Sequence, residues 1–151
     1  MDKKMFCFQC EQTVGCAGCT GNAGVCGKKA DTARLQDELT GALIGLARAV
    51  DSTTAISKRT GQIIIEGLFT TVTNVNFDDV SIENMIQKVR AEKERLVPDC
   101  SKGQSPCGKT GEYDMQQLWN ANEDIRSLKS LILFGIRGMA AYAYHANVLN
   151  Y

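Results

Sequence analysis

Leu35, Leu39, Leu43 and Leu46 recur at steps of four and three, which places them on one helical face and predicts a helix from Asp31, as N-cap, to about Val50. Ile82, Met85, Ile86 and Val89 repeat that spacing behind Ser81, with Lys and Glu between them. They predict a second such helix, capped by Ser81 and ended by Pro98. A third series, Ile125, Leu128, Ile132, Ile136, Met139 and Ala143, follows Asn122. It predicts a long helix capped by that asparagine and reaching about Leu149, with the series as its buried face. Between the first two lies Ile63 to Val72, β-branched enough to suit a strand. Ile64, Leu68, Val72 and Val75 nevertheless share one helical face, and helix is the preferred reading.

The stretch from Asp99 to about Ala121 carries Gly103, Pro106, Gly108 and Gly111 and reads as an irregular linker, packed against the body by Tyr113 and Trp119. No segment alternates as a half-buried strand does. The expected fold is therefore all-α, a bundle of about four helices.

The head of the chain breaks the helical pattern. From Cys7 to Lys29, Gly15, Gly18, Gly21, Gly24 and Gly27 recur between the cysteines, so neither helical nor strand periodicity persists. This is a loop wrapped around something. The expected organisation is a cysteine-rich loop over residues 1–30 and a helical bundle over residues 31–151, together one domain.

Composition narrows the classes of function. The 151 residues are 44% hydrophobic and 23% charged, as in an ordinary folded domain. Lys and Arg number 17, as do Asp and Glu, so no net charge favours nucleic acid or an acidic membrane. The opening residues lack the apolar core of a secretory signal, and no run of about 18 apolar residues encodes a membrane span. The expected location is the cytoplasm, where seven cysteines point to metal or redox use rather than to a disulfide scaffold.

Five of them, Cys7, Cys10, Cys16, Cys19 and Cys26, fall within the first 26 residues. The turn in Cys7-Phe8-Gln9-Cys10 can bring two sulfurs to one centre, and two more must come from Cys16, Cys19 and Cys26. Taking Cys19 and Cys26 gives C-x2-C-x8-C-x6-C; taking Cys16 and Cys19 gives C-x2-C-x5-C-x2-C, the shape of a zinc site. Soft thiolates match cluster irons, and glycines free backbone N–H groups to approach cluster sulfides. Iron-sulfur is the preferred reading, and zinc its competitor.

Met5 to Thr13, Gly18-Cys19-Thr20, Gly24-Val25-Cys26-Gly27-Lys28 and Leu35-Gln36-Asp37 resemble the opening of the hybrid-cluster protein (prismane, hydroxylamine reductase) family. The resemblance continues in Gly67 to Asp78, Asn122 to Leu128 and Gly138 to Ala143, and so spans nearly the whole chain. It implies that Cys7, Cys10, Cys19 and Cys26 hold a cubane, [4Fe-4S] in most members and [2Fe-2S] in some, with Cys16 as the spare thiol. It also implies that later domains of the family carry a hybrid Fe-S-O cluster, bound by His, Glu and Cys, at which hydroxylamine becomes ammonia and water. By that resemblance this chain is an N-terminal electron-relay domain, without a catalytic residue of its own and silent alone. The stop at Tyr151 is then expected to mark an engineered cut or a split gene. Its implied partners are the later domains and an electron donor protein, and apolar surface left uncovered predicts self-association. Two other classes stand beside it, a structural zinc domain for protein contacts and a redox or nitric oxide sensor.

Several residues have plain readings. His145, the only histidine, suits the end of the last helix. Cys100 and Cys107 read as incidental linker thiols, Glu123 and Asp124 as helix-terminus acids, and Gly135 and Gly138 as a close helix crossing. Glu11 sits beside the cysteines with no partner that the sequence names.

Overall fold

The computed structural model describes residues 5–10, 17–51, 56–72, 74–97 and 111–151. The leucine stripe forms the inner face of α1 (Ala30–Asp51), with Leu35, Leu39, Leu43 and Leu46 all buried. Each stabilises the fold by about 1.5–3 kcal/mol relative to exposure. α1 packs chiefly on α3 (Asp79–Leu96), whose Ile82, Met85, Ile86 and Val89 are buried in the same core. The segment read as helix rather than strand is α2 (Lys58–Thr70), which adds Ile63 to that core. It ends before Val72 and Val75, and its closest approach is at Gly67, where a Cβ would meet Leu43 Cδ2 at 2.8 Å.

Two caps differ from expectation. α1 begins at Ala30, so Asp31 is a first-turn acid favoured by the helix dipole and not the cap. α3 begins at Asp79, and Asp78 caps it by accepting from the Val80 N–H at 3.1 Å, which leaves Ser81 in the first turn. The helix ends at Leu96; Pro98 lies outside the described residues, as do Glu11, Cys16, Cys100 and Cys107.

The stretch read as linker contains a further helix, α4 (Met115–Trp119), capped by Asp114. Its approach segment lies across the two glycines of α1, Gly41 and Gly45. The Tyr113 N–H donates to Gly41 O at 3.1 Å, and Glu112 Cα would stand 3.2 Å from a Cβ on Gly45. Met115, Leu118 and Trp119 are buried, with Tyr113 packed beside them as expected.

α5 (Glu123–Val148) starts behind the Asn122 cap, as the sequence predicts, but its buried face is the other one. Leu128, Ile132 and Met139 are 62%, 60% and 73% exposed, and Ile125 and Ile136 are exposed with them. Ser130, Arg137 and Ala140 face inward instead. Arg137 is tolerated there because its guanidinium donates to Thr71 Oγ1 at 3.0 Å and Thr40 Oγ1 at 2.9 Å. Tyr144 stacks on Phe69 at 4.5 Å, while His145 meets the same ring edge-on as an exposed helix residue. A Cβ on Gly135 or Gly138 would meet nothing within 4 Å, so no close crossing explains them. The described residues contain five helices and no strand, an all-α fold. None of these helices is long and apolar enough to cross a membrane.

Candidate metal centre

The glycine-rich head is folded by two isolated antiparallel bridges. In the first, the Cys7 N–H donates to Cys19 O at 3.0 Å and the Cys19 N–H returns to Cys7 O at 2.8 Å. Gly18 makes this possible: its φ is +90°, and a Cβ there would stand 3.0 Å from Cys7 O. The second bridge joins Ala23 to Lys29 and closes the turn that carries Cys26. There the Gly24 N–H donates to Lys28 O and the Gly27 N–H to Gly24 O, each at 2.8 Å.

Cys7, Cys10, Cys19 and Cys26 all line one cavity of about 170 Å³, together with Met5, Gln9, Gly24, Val25, Lys28 and Asn74. The thiols are free of disulfides. Cys7 and Cys19 are buried at its floor, Cys10 is half-buried and Cys26 is exposed at its rim. A side chain on Gly24 would crowd the cradle, since its Cβ would lie 3.4 Å from Cys26 Sγ and 3.3 Å from Met5 Cε. Among the described residues no three His, Cys, Asp or Glu side chains gather tightly enough to hold a single metal ion.

Behind the cysteines stands a polar network that hydrophobic periodicity does not reveal. The Lys28 ammonium donates to Gln9 Oε1 at 2.7 Å and Gln36 Oε1 at 2.6 Å. Gln9 Nε2 donates in turn to Asp37 Oδ1 at 2.8 Å and Ala33 O at 3.2 Å. Trp119 Nε1 donates to Asp37 Oδ2 at 3.1 Å, so both carboxylate oxygens are engaged. Burial pushes the Asp37 carboxyl above its ordinary range, against the lowering effect of these donors. Burial likewise pushes the Cys7 thiol up, while the Lys28 charge and the Gln9 backbone N–H pull it down.

The other side of the Cys7 segment is apolar. Phe6 and Phe8 pack on Trp119 at ring separations of 6.0 and 5.7 Å, and the Arg126 guanidinium lies 5.2 Å from the Phe8 ring centre. Alternation explains the arrangement: neighbours of an extended cysteine point away from it. Trp119 thus supports the site from both directions, through its ring and through its N–H.

Residues 5–151 match the model of the Prismane/CO dehydrogenase family. Hydroxylamine reductase from Methanococcus vannielii is 39% identical over 97% of this chain and 30% of that protein. The hydroxylamine reductase of Clostridium perfringens is 39% identical over 94% of the chain, and that of Desulfovibrio desulfuricans 38% over 99%; 30% of each protein is covered. The chain therefore spans about a third of the length of the curated relatives it matches.

Proposed function

This chain belongs to the Prismane/CO dehydrogenase family, and on that premise we propose that it is the iron-sulfur electron-relay part of a hydroxylamine-reducing enzyme. The observation that carries the reading is the meeting of Cys7, Cys10, Cys19 and Cys26 around one cavity. One thiolate per iron is the ligation a [4Fe-4S] cubane needs. A single zinc ion would instead need its sulfurs about 2.3 Å from one point. When bound, the cluster supplies a site that accepts and passes on one electron.

The chain's own residues give that site its direction. Cys10 and Cys26 stand at the exposed edge, the side from which an electron donor protein can approach. Cys7 and Cys19 lie inward, over α1 and the polar network. Hydroxylamine reduction to ammonia and water belongs to the rest of such an enzyme, which would dock on apolar surface such as the uncovered face of α5. A cytoplasmic setting, which keeps thiols reduced, suits the site.

Anaerobic reconstitution with iron and sulfide, followed by absorption and EPR spectra, tests the reading. The expected product is a brown protein whose dithionite-reduced form is EPR-active and which makes no ammonia from hydroxylamine. A colourless protein holding one zinc and no sulfide would defeat it.

A further inference from the structure

Lys28 is 2% exposed, yet among the described residues no carboxylate lies within salt-bridge distance of its ammonium. It is held by two neutral carboxamide oxygens, from Gln9 and Gln36, and lies 5.8 Å from the Phe77 ring centre. Asp37 is reached through the Gln9 carboxamide, not directly. Arg137, 4% exposed, is a second buried cation, and it too donates to neutral groups. Two buried cations therefore act on one half-buried carboxylate, Asp37, on the cysteine side of the bundle. A buried charge solvated by neutral dipoles alone is costly unless an anion faces it. Lys28 lines the 170 Å³ cavity together with the four cysteines, and its charge acts on the Cys7 thiol.

We propose that Lys28 is the fixed counter-charge of the cysteine-bound cluster and raises its reduction potential, with Gln9 and Gln36 as the clamp that positions the ammonium. The proposal rests on the iron-sulfur reading above. Four thiolates leave the assembly anionic, and each added electron makes it more so. A cation held nearby in a medium of low dielectric stabilises the reduced state more than the oxidised one. Gln9 couples the two halves, because its backbone N–H donates to the Cys7 sulfur while its side chain accepts from Lys28. Lys28 is a positioning and tuning residue, not a ligand.

The test compares reconstituted parent chain with Lys28→Met, Lys28→Gln and Lys28→Arg, by dithionite titration followed by EPR, with iron and sulfide content and far-ultraviolet circular dichroism beside it. Both neutral variants should shift the reduction equilibrium at least tenfold toward the oxidised cluster, about 59 mV for a one-electron couple, and Lys28→Arg should restore most of it. Cluster loss in the folded neutral variants but not in Lys28→Arg also supports the counter-charge. A reduction equilibrium within twofold of the parent in both neutral variants would overturn it. So would equal loss of fold or of cluster in all three variants, which would assign Lys28 to packing. A parent chain that takes up no iron and sulfide strikes the cluster reading itself, a result separate from any difference among the variants.

Discussion

Replacing Gly41 with alanine adds one methyl group to α1 at a point where a backbone carbonyl already stands. The new Cβ would overlap the Tyr113 carbonyl oxygen, and that oxygen cannot rotate away as a side chain could. The segment must lift, which strains the Tyr113 N–H bond to Gly41 O and the paired contacts of Arg90 with Glu112, at 2.7 and 2.9 Å. Overpacking of this kind costs roughly 1–3 kcal/mol. Helix propensity returns about 1 kcal/mol when alanine replaces glycine. The net loss is about 0–2 kcal/mol, or up to roughly 8 °C in Tm at about 2–4 °C per kcal/mol for this size. Gly61 in α2 is the control: a Cβ there meets nothing within 4 Å, so Gly61→Ala should raise Tm by a similar reckoning. Thermal melts of both variants, followed by circular dichroism, provide the assay. A Gly41→Ala protein as stable as Gly61→Ala would refute the packing of the Tyr113 segment on α1, and with it the support that α4 gives to the cysteine loop.

Other consequences follow from particular contacts. The Glu92 carboxylate, bonded by Arg95 and by Thr60 Oγ1 and paired with Arg59, is held down from 4.5 to about 2. Its contribution is present above pH 4.5 and lost as pH falls toward 2, so Glu92→Gln should flatten the dependence of urea midpoint on pH over that window; parallel curves would contradict this. Trp119→Phe removes the donor to Asp37 Oδ2 and should cost about 1–3 kcal/mol in urea unfolding, since a half-buried carboxylate oxygen loses its partner. Leu128→Glu with Met139→Lys should reduce self-association in sedimentation velocity while leaving Tm near the parent value, because both side chains are exposed. A parent chain that sediments as a monomer would contradict the expected self-association, and an associating parent unchanged by the double substitution would exclude this face of α5.

The parts legible from sequence are those where one apolar stripe meets one core. Leu39 and Leu46, Ile82 and Val89 are completely buried, as their spacing foretells. α5 misleads because it is apolar on more than one side, and because its inner face includes Arg137 and Ser130. Hydrogen bonds to Thr40 and Thr71 make that arginine an interior residue, and no periodicity reports such partners. α4 is too short for a helical repeat; only the Asp114 cap and the Met115, Leu118 and Trp119 spacing mark it. At the site, cysteine spacing narrows the thiols to Cys7, Cys10 and two of Cys16, Cys19 and Cys26, and the family resemblance selects Cys19 and Cys26, which line the cavity with the first pair, whereas the Gln9, Lys28, Gln36 and Asp37 network is assembled by the fold. Two of its signals were nonetheless visible, Lys28 directly after the Cys26-Gly27 turn and Gln36-Asp37 on the first turns of α1.

The most direct measurement is iron and sulfide content after anaerobic reconstitution of five single variants, Cys7→Ala, Cys10→Ala, Cys16→Ala, Cys19→Ala and Cys26→Ala. With Cys7, Cys10, Cys19 and Cys26 as the ligands, the parent and Cys16→Ala should each hold about four iron and four sulfide per chain, and the other four variants should lose most of both. Full cluster content in Cys19→Ala or Cys26→Ala, with loss in Cys16→Ala, would contradict this assignment of the site.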